Sequence, residues 1–364
     1  GQTNIGMDGN INSGSDDIFL VKYNSSGTKR WTEQLGISDN ESGISLAVDS
    51  FDNIYVTVYA KGELDGNTNS GNYDIFLIKY NSSGIKQWTK QLGDSAANHG
   101  MGMTVDSFDN IYVTGFTNRV LDGNINLGGE AIVLMKYNSF GTKQWTKQLG
   151  LSASDFALEV TVDSSDNIYV TGYTQGGLDG NTDSDGIYYT DIILVKYNSS
   201  GTKQWTKQLG TSEIDSGNAV TVDSSDNIYV TGNTKGSLDG NIHLGNKDIF
   251  LVKYNSSGVK QWTQQLGTSE YDYGRGVTVD SSNNIYVTGY TQGGLDNNTN
   301  SGGGNSPQDI FLVKYNSSGT KQWTKQLGTS SEDKGFGVTV DSDNNIYVTG
   351  STQGGLDNNT NSGR

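Results

Sequence analysis

The chain of 364 residues has no cysteine, one proline, two histidines, and 24 basic against 40 acidic side chains. Each shortage excludes something. Without cysteine there is no disulfide, iron–sulfur cluster, thiol nucleophile or thiolate zinc site. One proline and 50 glycines, with no Gly-X-Y triplet, rule out Pro-rich fibres and collagen. The charge balance, 24 − 40 = −16, argues against a nucleic-acid partner, which needs a basic stripe to neutralise phosphates. No apolar run approaches the ~18 residues of a membrane-spanning helix, so helical membrane insertion is not expected. Only 32% of residues are hydrophobic, a level that at high net charge can signal disorder. The pattern says otherwise. Twenty Tyr, six Trp and ten Phe sit inside short β-rich blocks with the polar residues gathered between them.

Those blocks repeat. The six tryptophans fall at 31, 88, 145, 205, 262 and 323, at intervals of 57, 57, 60, 57 and 61. Each lies in a copy of Lys-Gln-Trp-Thr-Lys-Gln-Leu-Gly, intact at 143–150, 203–210 and 321–328. Val-Thr-Val-Asp-Ser-Ser-Asp-Asn-Ile-Tyr-Val-Thr-Gly stands at 160–172 and 220–232, and Asp-Ile-Phe-Leu-Val-Lys-Tyr-Asn at 17–24, 248–255 and 309–316. One period therefore predicts four strands: A at 160–163, B at 167–172, C at 191–197 and D at 203–209. Asp, Ser, Asn and Gly turns join A to B and C to D. Strand C is apolar on both faces, whereas D carries Lys and Gln as an outer edge does.

Four antiparallel strands every ~58 residues describe a propeller blade. The expected fold is all-β: a single six-bladed β-propeller over 1–364. Its closing blade combines A and B from 336–350 with C and D from 17–35, a two-plus-two strand clasp that shuts the ring. The end segments 1–14 and 350–364 are two copies of one B–C loop, so one is expected to pack and the other to fray. The chain starts in mid-repeat, where no signal peptide would be visible.

The string Asp-Asn-Ile-Tyr-Val-Thr-Gly-x-Thr, followed by Ile-Phe-Leu-Val-Lys-Tyr-Asn-Ser-Ser-Gly-x-Lys-x-Trp, resembles the SBBP class of bacterial β-propeller repeats over practically the whole chain. That name implies seven blades, whereas this chain supplies six. The resemblance implies a bacterial protein, extracellular, displayed on the cell surface or periplasmic, with no established catalytic chemistry. A weaker similarity links the same strings to quinoprotein (PQQ) repeats.

Short, uniform A–B and C–D turns lie at one end of the strands, and long, variable B–C and D–A loops at the other. Variable loops on a rigid scaffold are where specificity is built. Aromatics there, Tyr59, Phe116, Tyr173 and Tyr290 after strand B and Phe156, Tyr271 and Tyr273 in the D–A loops, are the candidates for contact with a sugar ring or a protein partner. Packing between blades is the competing explanation. In the B–C loop, Asp65, Asn67, Asn69 and Asp74 present oxygens as calcium requires, and Asp179, Asn181, Asp183 and Asp185 form the most acidic copy. Turn chemistry alone also accounts for these residues. Calcium is thus the one cofactor to test.

Catalysis has little support. His99 and His243 recur nowhere, no Gly-x-Ser-x-Gly elbow or HExxH motif exists, and no blade stands out from its siblings. The expected function is a non-enzymatic binding or scaffold module, monomeric, with a protein or glycan partner. A lectin-like binder with one weak site per blade and a polysaccharide-acting enzyme are the alternatives.

Overall fold

The computed structural model describes residues 1–13, 16–36, 41–61, 64, 66–67, 73–92, 98–125, 128–150, 153–182, 189–302 and 308–359. Two compact units divide at Val160. The fold is all-β, with six repeats and antiparallel sheets. Five of these have four strands in A-B-C-D order, spanning 41–92, 98–149, 155–209, 215–266 and 272–327.

The strands follow from their composition. Strand B is Ile-Tyr-Val-Thr-Gly-x-Thr and strand C is Asp-Ile-Phe-Leu-Val-Lys-Tyr or a close variant, β-branched and aromatic throughout. Both are buried along nearly their whole length, being covered on two faces. They pair without a slip, from Ile228↔Tyr254 to Thr234↔Asp248. Strand D pairs only with C, and its first two residues are exposed while the rest are half-buried. Its tryptophan packs against the C–D turn of the following repeat. A Cβ on Gly84 would meet the Trp31 ring at 3.0 Å, and one on Gly319 would meet Trp262 at 2.9 Å. Both glycines also have positive φ, so the turn and the contact each require them.

The A–B turn is an Asx turn, as its sequence predicts. Asp49 accepts hydrogen bonds from the Phe51 and Asn53 amides at 2.9 and 2.8 Å and from the Tyr55 hydroxyl at 2.9 Å. The pattern recurs at Asp106, Asp163, Asp223, Asp280 and Asp341. The companion residue does more than cap, because Asp109 reaches the Ser50 amide and Asp226 the Ser164 amide of the preceding repeat. Strand-C lysines sit beside this turn, with Lys79 3.7 Å from Asp49 and Lys136 3.6 Å from Asp106.

Two expectations need correction. Strand A is eight residues long, not four. It begins at Asp155, Asp215 or Asp272, so that Phe156, Tyr273 and His99 lie in strands rather than loops. Strand B continues two residues further, which places Tyr59, Phe116, Tyr173 and Tyr290 inside it as its penultimate residue. The aspartate that opens this longer strand A is held by pairing with the end of strand B, as in Asp215↔Thr234. Residues 336–350 and 17–35 belong to two further sheets: the hairpin Asp333–Val340/Ile346–Thr352, and a three-stranded sheet of Gln2–Thr3, Asp17–Tyr23 and Lys29–Leu35. Gln2 and Thr3 pair with Ile18 and Asp17, the register that Tyr173 and Thr174 have with Ile192 and Asp191. Gly1-Gln2-Thr3 resembles Gly350-Ser351-Thr352 closely enough to take that edge. The N-terminal loop copy packs beside it, with Asp8 on Lys29 and Thr32.

Candidate functional site

Within each unit, the strand A of one sheet lies against the strand A of the next. Gly102 abuts Glu159 in the first unit, and Gly276 abuts Phe336 in the second. Strand A carries a β-bulge, its register shifting between Gly100 and Gly102, between Gly217 and Ala219, and between Gly274 and Gly276. The bulge brings the strand-A backbone close to strand B, where a Cβ on Gly115 would lie 1.8 Å from the His99 carbonyl oxygen. Only glycine fits there. A bulge also re-aims one side chain out of the ladder, here Met101, Asn218, Arg275 and Phe336.

Within the strands, these bulge residues and the second residue of strand A vary while strands B, C and D stay nearly constant apart from the penultimate residue of B. The strands read NHGMGMTV, DFALEVTV, DSGNAVTV, DYGRGVTV and DKGFGVTV. Strand B is IYVTG-x-T in five of its copies, and its x is the strand-A residue's partner, as in His99↔Phe116, Ser216↔Asn233 and Tyr273↔Tyr290. The variation is thus concentrated at one end of strands A and B. Sequence reading found the strand-B half of these pairs. It missed His99, Met101, Glu159, Asn218, Arg275 and Lys334, which a column-by-column comparison of the strand-A octets would have shown.

The first unit holds an aromatic row. Tyr59 and Tyr73 meet edge to face at 5.7 Å, and both touch His99, at 5.2 and 5.6 Å. His99 stacks on Phe116 at 4.8 Å with rings 6° apart, and Phe116 meets Phe156 at 4.5 Å. All five are half-buried. Burial lowers the His99 pKa, against the pull of Glu130. Below the row, burial raises the Glu159 carboxyl to about 7, although the Val160 amide donates to it at 3.1 Å.

The second unit places cations at the same positions. The Arg275 guanidinium lies 5.6 Å from the Tyr273 ring and 5.4 Å from the Tyr290 ring, and its Nη2 donates to the Tyr290 hydroxyl at 2.9 Å. Lys247 Nζ sits 5.0 Å from the Tyr273 ring and Lys334 Nζ 5.7 Å from that of Tyr290. Tyr271 stacks on Tyr273 at 6.3 Å. Lys247 is held below the ordinary lysine range by burial, then by the neighbouring charges of Lys235 and Arg275. Beside them, the Asn218 amide donates to Asn233 Oδ1 at 3.0 Å and to the Gly274 carbonyl at 2.7 Å. Tyr173 occupies the corresponding strand-B position and is half-buried.

The structure assembles most of the aromatic candidates into these two groups, and gives the described calcium candidates other partners or positions. Asp179, at φ 55°, has its carboxylate on Lys203 and Thr206. The Asn181 amide donates to the Leu178 carbonyl at 2.7 Å. The same brace onto strand D recurs at Asp122, Asp239 and Asp296. Asn67 donates to the Leu64 carbonyl at 3.0 Å, and Asp74 is fully buried as the first residue of strand C. Asp65, Asn69, Asp183 and Asp185 lie outside the described residues. Among the described residues, no group of three or more His, Asp or Glu is placed to hold a metal ion.

The sequence profile of a beta-propeller repeat, SBBP, matches residues 30–65, 87–121, 144–179, 204–239, 261–296 and 322–357. The chain is similar to an uncharacterized WD repeat-containing protein of Acanthamoeba polyphaga mimivirus, 28% identical over 356 residues, covering 72% of this chain and 26% of that protein. It is also similar to the regulatory protein FlaEY of Caulobacter vibrioides, 26% identical over 262 residues, covering 63% of this chain and 27% of that protein. It spans about a quarter of the length of either relative. Among solved structures, a protein of unknown function from Bacteroides caccae matches at TM-score 0.47 and 10% identity, over 85% of this chain and 93% of that one. The Pan2 WD40 domain of Neurospora crassa matches at TM-score 0.45 and 8% identity, over 86% and 80%.

Proposed function

The chain belongs to the SBBP β-propeller repeat family, and from that premise we propose that it is a non-enzymatic binding module, exported or displayed on a bacterial surface. Its contacts are made by the end of strands A and B that carries the variable side chains. One observation supports this above all: among the strands of these repeats, which are otherwise nearly identical, variation gathers at the second and bulge residues of strand A and their strand-B partners. Packing alone would favour the same residue in every copy, as it does for the six tryptophans. The six-bladed ring, with 336–350 and 17–35 sharing its last blade, belongs to the same proposal. Its sequence basis is that Asp17–Tyr23 is identical to Asp248–Tyr254, which pairs with a strand B.

A lectin with one equal site per blade fits less well, because the two clusters differ in charge and ring content. The enzyme reading has one observation in its favour, the Glu159 carboxyl raised to about 7, within the range of a general acid. A panel of neutral and acidic oligosaccharides, assayed for both binding and new reducing ends, separates the three. Binding without turnover is expected. It should be lost when Tyr273, Arg275 and Tyr290 become Ser, Asn and Asn, or when His99 and Phe116 become Ser and Asn. The repeat at 215–234 already carries those residues, so the scaffold should tolerate them. Turnover, or binding unchanged in both variants, would overturn the proposal.

A further inference from the structure

The two clusters differ most in charge. Lys247, Arg275 and Lys334 converge on Tyr273 and Tyr290, with Lys235 close enough for its charge to act on Lys247, in a chain whose net charge is −16. Such a chain has carboxylates in excess to pair with every cation. The lysine that opens strand D is so paired, Lys203, Lys260 and Lys321 each with an aspartate. Here, among the described residues, Lys334 has a carboxylate partner in Glu332 at 3.2 Å, whereas Lys235, Lys247 and Arg275 make no ion pair. Arg275 Nε is buried without a hydrogen-bond partner. Its guanidinium is held by the bulge and by the Tyr290 hydroxyl, with side-chain freedom already reduced. Four like charges brought together with one carboxylate among them are a standing electrostatic cost, which an anion reduces.

We propose that the Lys235–Lys247–Arg275–Lys334 cluster around Tyr273 and Tyr290 is a binding site for a sugar carboxylate, as in a uronate unit of an acidic polysaccharide. The proposal rests on the binding reading above and names the ligand for one part of that surface. The guanidinium plane matches a carboxylate in two parallel hydrogen bonds. The stacked rings of Tyr271 and Tyr273 offer the flat face and hydroxyl tips that suit a pyranose. An acidic peptide would use the charge but has no need of the ring faces.

Isothermal titration of the full chain with a hexuronate oligosaccharide, the corresponding neutral oligosaccharide and a glutamate-rich peptide tests this. The uronate is expected to bind, weakening as salt is raised. The neutral sugar and the peptide should bind at least about tenfold more weakly, and Arg275→Gln should weaken uronate binding by about tenfold or more. Lys247→Gln should act in the same direction, and a thermal melt of each variant reports on folding. Equal binding of the neutral sugar, or uronate binding unchanged in folded R275Q, would overturn the carboxylate assignment while leaving the binding reading intact. Tighter binding of the peptide would reassign the site to an acidic protein segment. Absence of binding by all three would overturn the site itself, while the aromatic row of the first unit would still test the broader reading.

Discussion

His99 and Tyr273 occupy one position of the repeat, as do Met101 and Arg275, yet the surroundings built on them are opposite. The first unit fills these places with an aromatic row beside two carboxyls, Glu130 and Glu159. The second fills them with three tyrosines and four cations. The backbones beneath are equivalent, with the same bulge and the same strand-B glycine. The difference is therefore one of side-chain substitution on a fixed frame. It teaches that this repeat keeps its folding chemistry in strands B, C and D and the Asx turn, leaving the start of strand A free to change.

The sharpest test of that comparison is steric. A Cβ on Gly102 would lie 2.7 Å from the Glu159 Cα, whereas one on Gly276 would meet atoms no closer than 3.1 Å. Gly102→Ala is expected to destabilise by ~2–3 kcal/mol and Gly276→Ala by under ~1 kcal/mol, read from paired thermal and urea melts. Equal losses would show that the two units pack their inner strands alike.

Next in size is Glu159. Its carboxyl is raised from 4.5 to about 7 by burial, so the folded state holds the proton more tightly than the unfolded chain. The stabilising contribution is complete below about pH 4.5 and is lost as pH rises through about 7. Glu159→Gln should therefore gain ~1–3 kcal/mol over the wild type at pH 8 and little at pH 4. A pH-independent difference would mean that the carboxyl is solvated.

In the second unit, Tyr290→Phe removes the hydroxyl that accepts from Arg275 and should cost ~1 kcal/mol. A loss no greater than that of Tyr173→Phe would show that Arg275 is not held by the bond. The smallest effect belongs to the loops. Asp179→Asn weakens a partly exposed pair with Lys203 and should change stability by under ~1 kcal/mol. Calcium should give no salt-resistant rise in Tm, since the Asp179 carboxylate already faces Lys203 and Thr206. Such a rise, abolished by a chelator and by Asp179→Asn, would restore the loop as a cation site.

Much of this was legible in the chain. The period, the order of the four strands, the Asx turn and the edge character of strand D are local features, set by residues within ten positions of one another. The limits of strands A and B were not. Asp155-Phe156 and Asp272-Tyr273 carry turn residues, and their extended state is imposed by pairing with Thr174 and Thr291 some twenty residues away. The calcium pattern of the B–C loop was legible but ambiguous. The partners that take up Asp179, Asp239 and Asp296 come from strand D, more than twenty residues on.

By itself the sequence determined the all-β class, the six repeats and the Trp, Tyr and Gly positions that recur with them, because periodic burial and turn chemistry act over short spans of chain. Only the tertiary structure decided which variable residues meet. His99, Phe116 and Phe156 are brought together across two repeats, as are Lys235, Lys247 and Arg275. Ring stacking and charge repulsion act through space over a few ångströms, and which side chains come that close is set by the packing of strand A on strand A.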